Sequence, residues 1–313
     1  MTLTELRYIV NLDKERHFGR AAERSFVSQP TLSVAVKKLE DELGVILFER
    51  TRGEVRPTDV GVRIIGQARR VLAEAKLVED LAREGKDELV GPIRLGAIYT
   101  VGPYLLPGLV PVLKARAPEM PLVIEENFTA KLLEQLRDNE LDVAILALPV
   151  DLTGLVAWPV YDEDFVAVLP EGHRWAKLSS LPSKRLAEEH LLLLGPGHCF
   201  RDQVVQACPK CIEPENGDAR ALTGSSLETI RYMVASGLGI TVAPRVAMEN
   251  RDTGGLVAVN LAEPVPGRQV AMLFRRGFPR MQAVRVLREA VLASGMKGAR
   301  WLPDSTPAES TSH

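Results

Sequence analysis

The sequence has no apolar run long enough to cross a bilayer, and its N-terminal residues lack the apolar core of a signal peptide. Both absences predict a cytoplasmic protein with no membrane partner. Neither sign of charge is in excess: 39 Lys and Arg stand against 41 Asp and Glu, for a net charge of -2. Basic and acidic residues balance even within the first sixty positions, so a case for nucleic acid rests on where the charges sit. No phosphate loop, Ser/His/Asp arrangement or paired acid–base constellation stands out. No catalytic residue, metal or cofactor is therefore assigned, and the chain reads as a non-enzyme. Cysteine is scarce, with 3 in 313 residues. In a cytoplasmic chain, clustered cysteines are more often redox-active or metal-binding than structural.

These cysteines are clustered: Cys199, Cys208 and Cys211. Cys199 follows His198 and precedes Arg201, and nearby positive charge stabilises a thiolate. Residues 200–207 suit about two turns of helix, which at a rise of roughly 1.5 Å per residue puts Cys199 and Cys208 about 13 Å apart. A disulfide needs Cα atoms within about 7 Å, so joining them requires the segment to unwind, and that makes a switch. Two plainer readings compete. One is a set of small packed thiols. The other is zinc held by His198, Cys199, Cys208 and Cys211, which is awkward because adjacent ligands on a helix point about 100° apart.

A chain of 313 residues is too long for one ordinary core. Residues 1–57 read as a DNA-binding head. Thr4 can cap a first helix with Leu6, Ile9, Val10 and Leu12 on its apolar stripe. His17 to Arg24 forms a short second helix with small residues at its centre. Ser28 as N-cap and Pro30 in the first turn open a third, ended by Gly44. Its inner face is Leu32, Val36, Leu39 and Leu43. Its outer face carries Gln29, Thr31, Ser33, Val34, Lys37 and Lys38, short polar groups for base edges followed by lysines for phosphates. Residues 49–55 read as a hairpin wing with Arg50 and Arg52 near its tip.

Thr58 caps a helix expected to reach about Glu88, roughly 45 Å long. Ile64, Ala68, Val71, Ala75, Val78 and Ala82 repeat by fours and threes, the seam of a helix that pairs with a second copy. Residues 58–90 are thus a dimerising linker, with packing against its own domain as the alternative. From Gly91, strands and helices alternate to about residue 300, which implies a parallel sheet with helices on both faces. Strands are expected at 92–97, 122–126, 143–147, 165–169, 240–242 and 270–274, and helices at 104–116, 131–138, 226–236 and 281–292. Two subdomains, 91–162 with 268–300 and 163–267, would leave a cleft between them. Thr100 and Thr129 stand at strand ends facing it, where ligands commonly sit. The tail, 301–313, is rich in Ser, Thr and Pro and is expected to be disordered.

Phe18-x-x-Ala21-Ala22, Ser28-Gln29-Pro30-x-x-Ser33, Leu39-Glu40-x-x-Leu43-Gly44, Leu47-Phe48-x-Arg50 and Pro57-Thr58-x-x-Gly61 resemble the winged helix-turn-helix signature of LysR-type transcriptional regulators. The resemblance implies homodimers or homotetramers on double-stranded operator DNA, with RNA polymerase as a further partner. It also implies a sensor half similar to periplasmic binding proteins, which in most members takes a small organic effector. Gly197-His198-Cys199-x-Arg201-Asp202-Gln203, with Cys208 nine residues on, resembles the sensor loop of the peroxide-responsive OxyR branch. That likeness implies that hydrogen peroxide oxidises Cys199 and that Cys208 resolves the product as a disulfide. It further implies that Thr100, Thr129, His198 and Asp202 position the peroxide, and that glutaredoxin or thioredoxin reduces the bond. Cys211 departs from the pattern and is an alternative thiol. An organic-effector regulator and a thiol peroxidase are the competing functions.

Overall fold

A computed structural model describes residues 1–51, 54–83, 88–209, 223–249 and 254–309. The first helix, α1 (Leu3–Glu15), starts two residues earlier than its sequence suggests. Thr2, not Thr4, is the N-cap, because Glu5 at the third helical position can answer it. The Glu5 amide donates to Thr2 Oγ1 at 3.2 Å, and the Thr2 amide donates to Glu5 Oε2 at 2.8 Å. Helix α2 (Phe18–Arg24) is capped by His17, and α3 (Gln29–Leu43) is capped by Ser28 and closed by Gly44 in the left-handed region. Leu32, Val36 and Leu39 are buried, whereas Leu43 at the fraying end is exposed.

Strands β1 (Phe48–Thr51) and β2 (Glu54–Pro57) pair antiparallel as the expected wing. Glu40 ties α3 to it by accepting the Leu47 amide at 2.7 Å and the Phe48 amide at 3.2 Å. The wing then enters α4 (Asp59–Arg83) through Thr58, whose hydroxyl donates to the Ile46 carbonyl and accepts the Gly61 amide at 2.9 Å. A Cβ on Gly61 would lie 2.1 Å from the Leu47 carbonyl oxygen, which is why that position is glycine.

Part of the expected pairing seam is already occupied. Ile65 and Ala68 are buried in the core formed with α1, α2 and α3, and Val71 packs against it, so the first turns of α4 belong to the DNA-binding head. Further along, Val78 is 67% exposed. By Glu88 the chain has left the helix, and its carbonyl accepts from Arg280 Nε at 2.9 Å.

The remaining residues, apart from Arg137–Asn139, form a second compact unit. Strands β3 (Ile93–Ile98), β4 (Leu122–Asn127) and β5 (Val143–Ala147) are parallel, linked through helices α5 (Gly102–Arg116) and α6 (Thr129–Arg137). The long strand β6 (Leu155–Pro170) carries the chain onward to β7 (Ser180–Leu181) and β8 (Leu193–Leu194). Next come α7 (Cys199–Ala207), β9 (Thr223–Gly224) and α8 (Leu227–Ala235). The unit continues with β10 (Thr241–Pro244), α9 (Arg245–Glu249), β11 (Leu256–Leu261), β12 (Gly267–Arg275) and α10 (Met281–Leu292).

The sheet is mixed rather than parallel. β12 runs antiparallel to both β5 and β6, because the chain re-enters the first subdomain from the opposite side. β6 is the hinge line: residues 155–164 pair with β12, and residues 165–170 with β10 and β11. The handover falls between Asp164 and Phe165.

The tail differs from expectation. β13 (Arg300–Trp301) and β14 (Ala308–Glu309) both pair with β6. Arg288 donates to the carbonyls of Leu302 and Pro303 and to Ser305 Oγ, while Trp158 Nε1 donates to the Ser305 carbonyl at 2.8 Å. Trp301 packs edge-on to Tyr161 with centroids 5.4 Å apart. Two tryptophans and an arginine anchor a segment whose composition alone suggests disorder. Residues 310–313 lie outside the described residues.

Candidate functional site

Cys199 is the first residue of α7, half-buried, and a free thiol. Gly197 makes the entry possible. Its φ of +93° suits glycine, and a Cβ there would press to 3.3 Å from the Phe128 ring.

Cys199, Thr100, Thr129 and His198 line one cavity with Tyr99 and Phe128. Its volume is ≈ 10 Å³, room for about one water-sized molecule. Thr129 Oγ1 is buried and has no hydrogen-bond partner. Asp202, the remaining residue assigned to peroxide, is exposed in the first turn of α7 and is not among the cavity's lining residues.

The cation at this site is not the one that the local sequence offers. His198 stands edge-on to Phe128 and Tyr99, with centroids 4.8 and 5.8 Å away. Burial holds it below the ordinary histidine value, against an opposing hydrogen bond with the Ser225 backbone, so it is neutral at pH 7. Arg201 donates to the Leu194 carbonyl at 2.8 Å, tying α7 to β8.

The fixed charge comes instead from Arg268, at the start of β12. Its Nη1 donates to Thr100 Oγ1 at 2.8 Å and its Nη2 to the Thr100 carbonyl at 2.9 Å. Its guanidinium lies 5.2 Å from the Phe200 ring centroid, beside Cys199. Burial works against the guanidinium's charge, but Glu163, then Tyr161 and Cys199, outweigh it and hold Arg268 above its ordinary value. Sequence reasoning missed Arg268 and its partner Glu163. No local signal marks them, because Glu163 sits between Asp162 and Asp164 and Arg268 beside Gln269.

Helix α7 forms as expected, and Cys208 is its C-cap, buried at the far end. The helical rise separates Cys199 from Cys208 by about 13 Å. Cys199 is a free thiol, so the Cys199–Cys208 bond is not formed. Cys211 lies outside the described residues.

On the DNA-binding head, α3 exposes Gln29, Pro30, Thr31, Val34, Lys37 and Lys38, with Ser33 half-buried among them. The hydroxyls of Ser28 and Thr31 meet at 2.8 Å. Lys38 Nζ lies 2.9 Å from Glu5 Oε1, so its charge is shared within the head. Arg50 pairs with Val55 through the β1–β2 register, and Arg52 lies outside the described residues.

Residues 3–62 match the bacterial regulatory helix-turn-helix proteins of the lysR family, and residues 86–295 match the LysR substrate binding domain. The chain belongs to the LysR family. Among LysR proteins it is 40% identical over 294 residues to the DNA-binding transcriptional dual regulator OxyR of Escherichia coli, spanning 94% of this chain and 95% of that one. Full-length OxyR of Pseudomonas aeruginosa, solved with a cysteine-to-aspartate substitution, superposes with a TM-score of 0.75 at 50% identity, over 96% of this chain and 97% of that chain. A hydrogen peroxide-bound cysteine variant of Corynebacterium glutamicum OxyR superposes with a TM-score of 0.62 at 33% identity, over 94% of this chain and 92% of that chain. This LysR chain therefore joins a DNA-binding head to an α/β sensor unit. Among the described residues, no helix is long and apolar enough to cross a membrane.

Proposed function

We propose that this chain is a cytoplasmic, peroxide-responsive LysR regulator in which Cys199 is the reacting thiol and Cys208 the resolving one. The observation that carries this reading is the size and lining of the Cys199 cavity. A small organic effector needs a pocket of about 300 Å³ or more. Here ≈ 10 Å³ is lined by Cys199, Thr100 and Thr129 among others, and Thr100 is bonded to the buried Arg268. That space suits a molecule the size of hydrogen peroxide.

The chemistry balances in two steps. The Cys199 thiolate attacks one peroxide oxygen, the O–O bond breaks, and the departing hydroxide takes a proton to leave as water. The sulfenic acid then condenses with a Cys208 thiol, forming the disulfide and releasing a second water. Arg268 and the Thr100 and Thr129 hydroxyls supply charge and donors where negative charge develops on oxygen. For Cys208 to reach Cys199, α7 must unwind. Unwinding exposes Phe200 and Val204, both buried, at about 1.5–3 kcal/mol each. A covalent bond can hold such a state where a bound peroxide could not.

The altered sensor unit then acts on DNA through a homodimer or homotetramer joined by the exposed part of α4, with RNA polymerase as the downstream partner. A glutaredoxin or thioredoxin restores the thiols. The outer residues of α3, from Gln29 to Lys38, read the operator, while Arg50 and Arg52 of the wing hold its backbone. The test is mass-spectrometric disulfide mapping of fully reduced protein after one equivalent of peroxide. A Cys199–Cys208 peptide with an altered DNA footprint is expected. An unmodified Cys199 would sink the reading.

A further inference from the structure

Glu163 is fully buried, and thiol oxidation by peroxide requires no carboxylate at its position. It lies directly opposite Arg268 in the β6–β12 register, and neither side chain is solvent-exposed. Arg268 Nε donates to Glu163 Oε1 at 2.6 Å, on the side of the guanidinium away from its two bonds to Thr100. A guanidinium is planar with donors in a fixed fork. Holding Nε on one side and both terminal nitrogens on the other leaves that plane no freedom to rotate.

A consequence follows at Thr100. Its hydroxyl oxygen accepts from Arg268, so its own proton points away from Arg268. Thr100 also lines the Cys199 cavity, so that proton remains available for a peroxide oxygen bound there. Glu163 Oε2 has no hydrogen-bond partner, nor has the hydroxyl of nearby Tyr161. The carboxylate thus engages the site through a single oxygen, and any shift in that oxygen passes directly to Arg268.

We propose that Glu163 is a positioning residue for peroxide reduction: clamped to Arg268 across β6 and β12, it aims the guanidinium and, through it, the Thr100 hydroxyl at the peroxide beside Cys199. The proposal rests on Cys199 being the peroxide-reactive thiol. Glu163 touches neither peroxide nor sulfur.

The test uses the full-length, fully reduced chain and two variants. Glu163→Asp keeps the charge but withdraws the carboxylate by one methylene. Glu163→Gln keeps the length but loses the charge-assisted bond, which is about twice as strong as a neutral one. Two rates are measured at Cys199: oxidation by hydrogen peroxide in single turnover, and alkylation by iodoacetamide. Alkylation needs an available thiolate but no polarised O–O bond.

A misplacement of about 1 Å can cost on the order of 100-fold in rate. Each folded variant should therefore lose roughly 10- to 100-fold in peroxide rate, with alkylation within about threefold of the parent. A general structural role would leave the ratio of the two rates unchanged. Parental peroxide reactivity in either folded variant overturns the proposal, so one folded variant suffices. A parent chain whose Cys199 ignores stoichiometric peroxide overturns the underlying functional reading instead, before any variant is compared.

Discussion

Arg268 donates to both oxygens of Thr100, the hydroxyl at 2.8 Å and the carbonyl at 2.9 Å, across 168 positions of sequence. The same side chain satisfies Glu163, so its removal has two separable effects. Arg268→Ala leaves a carboxylate unpaired in the core, which typically costs about 3–5 kcal/mol. Burial already raises Glu163 above the ordinary carboxylate value, and Arg268 only partly offsets it. Without Arg268 the acid should rise further, so the variant's stability deficit should shrink as pH falls and Glu163 becomes neutral. Urea unfolding at neutral and mildly acidic pH checks both the loss and its sign. A deficit that deepens toward acid would contradict the ion-pair assignment.

Sequence reasoning reached the parts of this site that are built locally. Ser28, Pro30 and Gly44 delimit α3 by capping chemistry that spans a few residues, and α7 fills the short interval between Cys199 and Cys208. Arg268 and Glu163 were out of reach because they meet only through strand register, 105 positions apart. His198 looked like the cation because it is adjacent in sequence, but its aromatic surroundings keep it neutral. The tail misled in the opposite direction: Trp301 and the acceptors for Arg288 and Trp158 lie among disorder-promoting residues.

His198 should give the fold a pH dependence. Its folded-state pKa lies below the ordinary 6.5, with burial as the main cause. Above 6.5 the imidazole is neutral in both states and stability is unaffected. As pH falls below that value the unfolded chain takes up the proton first, so stability declines until the folded form also titrates. Replacing His198 with Gln should flatten that part of the stability–pH curve. Urea midpoints between about pH 5 and 7 would show it, and an unchanged slope would count against a buried neutral imidazole.

Tyr161→Phe should be tolerated or mildly stabilising. The hydroxyl is buried without a hydrogen-bond partner, and leaving such a group unsatisfied typically costs about 1–3 kcal/mol. Burial and the neighbouring Glu163 hold that phenol well above its ordinary value, so it carries no charge that the variant would forfeit. Thermal melting of the two proteins compares them directly. A fall in midpoint of several degrees would reveal a bond that the hydroxyl does make.

Truncation after Ala299 should destabilise the sensor unit even though the removed residues look dispensable in sequence. It strips Arg288 of three acceptors and Trp158 of one, and uncovers Tyr161 where Trp301 packs. At about 0.5–1.5 kcal/mol per hydrogen bond, the loss of these four should be roughly 2–6 kcal/mol. Hydrogen exchange should rise along Leu155 to Asp162 of β6, which the tail covers. Unaltered exchange there would mean the tail does not brace that strand.

Val204→Ala probes whether α7 opens during the switch. Val204 is buried beneath the helix, so removing two methyl groups should weaken the dithiol form by about 2 kcal/mol. If Cys199 and Cys208 meet only after the helix unwinds, Val204 is already exposed in the disulfide form, and the substitution costs that form little. The dithiol is then selectively weakened. For a two-electron couple 1.4 kcal/mol corresponds to about 30 mV, so the midpoint should become more negative by roughly 40 mV. Equilibration of reduced protein in glutathione buffers, read by the fraction of Cys199–Cys208 peptide, measures this. An unchanged midpoint would mean that Val204 stays packed in both forms, and that the roughly 13 Å between the thiols is closed by movement beyond the helix.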